Sequence, residues 1–154
     1  MFRLNHVLAR QKMFEGFRGH PYRDTVGVWT IGYGCTVWNG TKVSESTSLV
    51  TEPMAHNHMK KDMFTAIADC QFLYPGFEDL SDVEQEVLIH MSFQLGRTKL
   101  RKFVKMNAAV ERGDVQTWAD EMTDSLWWMQ TPRPAAALRT ALLEDEWPPK
   151  WAVA

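Results

Sequence analysis

Glu15-Gly16-Phe17-Arg18-Gly19-His20-Pro21, then Asp24-Thr25-Val26-Gly27, then Val28-Trp29-Thr30-Ile31-Gly32-Tyr33-Gly34: across these residues the chain passes from helical to extended text. Upstream, Leu4, Val7, Leu8 and Phe14 recur at helical spacing, so a short helix is expected to end near Glu15, where glycines begin to punctuate the sequence. Asp24-Thr25-Val26-Gly27 reads as a turn, and Asn39-Gly40 after Thr36-Val37-Trp38 is the strongest two-residue hairpin signal. These signals predict a small antiparallel sheet of about three short strands between Tyr22 and Val43.

Downstream the pattern turns helical. Thr51 is placed to cap a helix with Pro53 in its first turn, and Ala55, Met59, Met63, Ala66, Ile67 and Cys70 give it one apolar stripe. Tyr74-Pro75-Gly76 ends it. Ser81-Asp82-Val83-Glu84 has the form of a capping box for a second helix lined by Val83, Val87, Leu88, Met91 and Leu95 and closed by Gly96. Three more helical patterns follow, Leu100 to Ala109, Val115 to Met122 and Pro134 to Leu143. The fold class is therefore expected to be α+β: a two-lobed arrangement of a small sheet and a helical C-terminal lobe, joined by a long helix, with a cleft between.

The length of 154 residues suits one domain, 1–154. A net charge of -2 argues against a nucleic-acid or anionic-membrane partner. The basic group Arg97, Lys99, Arg101, Lys102 and Lys105 is read as a solvated helix face. Polar residues interrupt every apolar run near the N-terminus, so neither a signal peptide nor a membrane-inserted segment is expected. Cys35 and Cys70 have no metal or redox spacing and are read as free thiols. His56 and His58, two apart, fall on different helix faces and are read as surface residues, so no metal or other cofactor is expected. Trp118, Trp127 and Trp128 are assigned to the C-terminal core, while Trp29 and Trp38 suit either strand packing or stacking on a sugar.

Two carboxylates stand close in sequence in unlike settings. Glu15, between Phe14 and Phe17, is placed to be dry and protonated; Asp24, in a turn beside Arg23, is placed to stay ionised; and Thr30 can hold a water beside Asp24. Glycoside hydrolysis needs such a pair, one acid for the leaving oxygen and one carboxylate to activate water. On spacing alone, most pairs of this kind are solvated or capping groups.

The wider string carries more. Glu15-Gly16-Phe17-Arg18, Tyr22-Arg23-Asp24, Gly27 and Thr30-Ile31-Gly32-Tyr33-Gly34 resemble the T-even phage lysozyme family, as do Phe93-Gln94-Leu95-Gly96, Phe103 and Trp127-Trp128-Met129-Gln130-Thr131-Pro132. The resemblance implies a peptidoglycan muramidase cleaving between N-acetylmuramic acid and N-acetylglucosamine. Glu15 would be the proton donor, Asp24 and Thr30 would position the water, and Phe93 and Gln94 would border the glycan. It further implies a monomeric phage endolysin, held in the host cytoplasm until a separate holin opens the way to the peptidoglycan layer. Departures exist: the segment from Gly34 to Thr51 is shorter than in the T-even enzymes, Cys35 stands where they have histidine, and the arginine that partners the acid falls at Pro134, with Arg133 one residue early. Two rival readings are a lytic transglycosylase, which closes the sugar on itself, and a non-catalytic glycan-binding or virion module on the same fold.

Overall fold

The computed structural model describes residues 1–154. Helix α1 (Leu4–Glu15) stops at Gly16, whose φ of 67° is open to a residue without Cβ and whose N–H still reaches the Lys12 carbonyl. Strands β1 (Arg18–Arg23) and β2 (Trp29–Gly32) then pair antiparallel around the Asp24–Val28 turn. A second hairpin, β3 (Val37–Trp38) and β4 (Thr41–Lys42), turns on Asn39 and Gly40, both at positive φ as a type I′ turn demands.

The small lobe is thus two separate hairpins of four strands, and it begins at Arg18, where the sequence had suggested about three strands from Tyr22. Pro21 hides the early start. It lacks an N–H, and the structure seats it where the register slips between Arg18 and Tyr22, so that no ladder hydrogen bond is forfeited. The Ile31–Cys35 bridge, bonded both ways at 2.8 and 2.9 Å, folds the chain back between the hairpins.

Helix α2 (Glu52–Leu73) spans about 33 Å and joins the lobes. Thr51 Oγ1 accepts from the Met54 N–H, Pro53 sits in the first turn, and Ala55, Met59, Met63, Ala66 and Cys70 form the buried stripe. Helix α3 (Asp82–Leu95) begins with the full capping box, Ser81 Oγ accepting from Glu84 N–H and Glu84 Oε1 from Ser81 N–H. Every residue from Gln85 to Ser92 is buried, which makes α3 the axis of the helical lobe, packed by α1, by α2 and by the last helix.

Beyond Gly96 come α4 (Arg97–Arg101), α5 (Val104–Arg112), α6 (Val115–Thr123), α7 (Leu126–Gln130) and α8 (Pro132–Glu144). The stretch expected as one helix from Leu100 to Ala109 breaks at Lys102-Phe103. Helix α7 has too few turns to show a period, although Ser125 caps it through the Trp128 N–H. Trp118 and Trp127 lie in the core as expected and Trp128 is half-buried against it. Both cysteines are free thiols. No helix is long and apolar enough to cross a membrane. The fold is the two-lobed α+β arrangement of lysozymes.

Candidate active site

A cleft of about 610 Å³ runs between the hairpins and the helical lobe, with α2 crossing it, and Glu15, Asp24, Thr30, Phe93 and Gln94 all line it. Five residues chosen from separate parts of the sequence therefore meet on one surface.

Glu15 is the last residue of α1, where the unpaired carbonyls of a helix end disfavour added negative charge. Its carboxyl lies against the backbone of Gly34: a Cβ at Gly34, itself at φ 79°, would fall 2.7 Å from Glu15 Cδ and 2.8 Å from Oε2. Burial pushes the Glu15 pKa up, the charge of Asp24 adds to the rise, and Arg133 opposes it. Arg133 does stand near, but its Nη1 donates to the Phe14 carbonyl at 3.2 Å and its guanidinium lies over Trp151, so it reaches Glu15 through charge alone.

Asp24 and Thr30 are tied through one residue. Asp24 Oδ1 accepts from the N–H groups of Val26 (3.0 Å) and Val28 (2.8 Å), while the Val28 carbonyl accepts from both the Asp24 N–H and the Thr30 hydroxyl, each at 2.9 Å. Asp24 is thus a turn residue and a cleft residue at once. Its Oδ2 has no partner in the chain, and the buried Thr30 hydroxyl, its proton engaged, presents only lone pairs. Tyr22, paired with Thr30 across the hairpin, adjoins both carboxylates; burial, then the Glu15 charge, raise its phenol pKa, Arg18 lowers it and Asp24 raises it further.

On the opposite wall, Trp127 Nε1–H donates to Gln94 Oε1 at 2.6 Å. This fixes which way the amide faces and leaves its buried Nε2–H₂ donor unpartnered. The Trp127 contact, like that of Gly34, was not read from sequence; neither has a local signal, because the partners lie 33 and 19 residues away.

Behind α1 a buried ion pair supports this end of the cleft. Arg10 Nε and Nη2 donate to Glu86 at 2.5 and 2.9 Å, His90 adjoins Glu86 at 3.2 Å, and Phe14 packs edge-on against His90 and at 4.8 Å against Trp151. Burial pushes Glu86 up, but hydrogen bonds from His90 and Arg10 outweigh it and hold the carboxylate below the usual range.

Of the remaining sequence expectations, Trp38 packs on the long helix: its ring stacks on His58 at 4.4 Å and 12°. His58 is accordingly no free surface residue, being half-buried in contact with Cys35 and Asp62. Trp29 lies under the Arg23 guanidinium.

Residues 12–140 match the family model described as phage lysozyme. The chain is also 23% identical, over 143 residues, to the probable T4-type lysozyme 2 of Dictyostelium discoideum, covering 79% of this chain and 84% of that one. With a match running from the last turn of α1 into α8 across both walls of the cleft, the chain belongs to the phage lysozyme family of glycan hydrolases.

Proposed function

We propose that this chain is a peptidoglycan muramidase that hydrolyses the β-1,4 bond between N-acetylmuramic acid and N-acetylglucosamine, with Glu15 as general acid and Asp24 and Thr30 as the water-holding pair. The supporting observation is the contrast between two carboxylates lining one cleft. Glu15 is pressed against Gly34 and driven toward its neutral form by burial, while Asp24 lies in a polar turn with Oδ1 accepting from two backbone N–H groups and Oδ2 free of any partner in the chain.

The step balances as follows. Glu15 gives its proton to the glycosidic oxygen as the bond to the anomeric carbon breaks. A water, donating one hydrogen bond to Thr30 Oγ1 and the other to Asp24 Oδ2, bonds to that carbon and passes a proton to Asp24. Solvent exchange then restores both groups. Attack by an external water on the face opposite the leaving group gives inversion. Phe93 packs against the glycan, and the unpaired Gln94 Nε2–H₂ donates to one of its oxygens.

The biological reading is a monomeric endolysin that waits in the host cytoplasm for a holin and then degrades the peptidoglycan layer. Clearing of permeabilised Gram-negative cells tests the activity, and mass spectrometry of the digested murein tests the chemistry. A hydrated reducing end is expected; a product lighter by one water, the 1,6-anhydro sugar, would identify a lytic transglycosylase instead.

A further inference from the structure

We propose that Cys35, His58 and Asp62 form a binding site for zinc or a closely similar divalent transition metal on the rim of the cleft, with a fourth coordination position open to solvent or to an oxygen donor of the substrate. The three side chains come from two elements that the fold brings together. Cys35 sits in the turn after β2, its N–H and C=O both bonded to Ile31, so its backbone is pinned. His58 and Asp62 are one turn apart on α2 and share a face.

The distances suit an ion. Cys35 Sγ lies 3.3 Å from His58 Nδ1, and Nδ1 lies 3.2 Å from Asp62 Oδ2, with all three ligand atoms within 4.8 Å of one another. Zinc at its usual bond lengths in a tetrahedron separates sulfur from nitrogen by about 3.6 Å and nitrogen from oxygen by about 3.4 Å. Those two pairs need shifts of only a few tenths of an ångström, and the Cys35 Sγ–Asp62 oxygen pair, within 4.8 Å, must come to about 3.6 Å. Without a metal, the Cys35 thiol donates to the Val37 carbonyl at 2.9 Å, and His58 Nδ1 faces both the sulfur and the Asp62 carboxylate. A cation between them takes the thiolate, the Nδ1 lone pair and the carboxylate together, in exchange for the Val37 hydrogen bond.

The donor set selects the metal. One sulfur, one imidazole nitrogen and one carboxylate oxygen favour zinc over magnesium or calcium, which prefer oxygen alone. Coordination releases the Cys35 thiol proton to solvent, and thiolate plus carboxylate then neutralise a dication at a half-buried position. The His58 ring is already oriented by its stack on Trp38. All three residues line the same cleft as Glu15 and Asp24, which places the open position on the substrate side. The bound ion also staples the small lobe to α2.

Cobalt(II) and zinc(II) titrations of the purified full chain test this without reference to activity. Cobalt is expected to produce a thiolate charge-transfer band with the intense visible spectrum of a four-coordinate site, displaced by zinc, and zinc is expected to raise the Tm. Cys35→Ser should abolish the band, and His58→Gln and Asp62→Asn should each weaken binding at least ~10-fold, whereas Cys70→Ser and His56→Gln should leave it intact. In the unaltered protein, zinc should protect Cys35 from alkylation, located by peptide mapping, so the outcome does not depend on any variant folding. Absence of a thiolate band and of Cys35 protection at millimolar metal, or a band that survives Cys35→Ser, would overturn the proposal.

Discussion

The backbone of Gly34 closes on the carboxyl of Glu15 so tightly that a methyl group at Gly34 would overlap Glu15 Cδ at 2.7 Å. Gly40 provides a matched control, since it has the same φ of 79° with nothing within 4 Å of its missing Cβ. Ala at either position should cost about 1 kcal/mol of stability for the left-handed backbone. Only Gly34→Ala should also displace Glu15 and lower glycan hydrolysis, by at least ~10-fold if a shift of under an ångström matters as it does elsewhere. Equal activities in the two variants at matched stability would show that Gly34 does not set the position of the acid.

Glu15→Gln should fold normally and lose at least ~100-fold in turnover, because the amide keeps the shape but has no proton to give. The sign of its stability effect follows from the raised pKa. The folded state holds the Glu15 proton more tightly than the unfolded one, so ionisation penalises the native protein above the ordinary glutamate range, about pH 4.3. The variant should therefore match wild type in acid and become the more stable of the two as pH rises. Thermal melts across that range read the divergence; a variant less stable than wild type at neutral pH would contradict it.

Asp24→Asn keeps an oxygen for the Val26 and Val28 N–H groups and should preserve the turn, so its loss of activity would report chemistry and not folding. Thr30→Ala removes the hydroxyl bonded to Val28 and the lone pairs beside Asp24. Both should depress turnover while murein binding survives. Near-wild-type rates in both, with an anhydro product, would favour the transglycosylase reading.

Trp127→Phe deletes the N–H that holds Gln94 and little else. The expected result is a higher KM with kcat largely kept, at a stability cost of about 1 kcal/mol. Trp127→Ala, which empties a buried site, should cost roughly 3 kcal/mol or more. An unchanged KM in Trp127→Phe would remove Gln94 from the substrate contacts.

Local chemistry made much of this molecule legible in its sequence. Gly16 after Glu15, Thr51 before Pro53, the Ser81–Glu84 box and Asn39-Gly40 each act within a few residues, and each marks a boundary the structure keeps. The early start of β1 was hidden because Pro21 ordinarily signals a break, and its place in an irregular register cannot be read from neighbours. The five-residue helix α7 offered a cap but no period. In the cleft, Glu15, Asp24 and Thr30 were visible as a spaced string. The Gly34 wall, the Trp127–Gln94 bond and the Cys35–His58–Asp62 cluster depend on long-range packing that spacing does not encode.

The small lobe carries Asp24 in the turn that follows a six-residue strand and Thr30 on a four-residue strand, beside a hairpin whose strands have two each, and it contributes few side chains to the core beyond Ile31, Tyr33, Val43 and Val50. Segments so thinly buried open at lower free energy than a helical body built on α3. Heat should therefore inactivate the protein before it melts: hydrolysis should fall off, and hairpin amides should exchange, at temperatures where the helical circular dichroism signal is still intact. The weakest-packed quarter of the chain, and not its most stable part, then sets the upper limit of its working range.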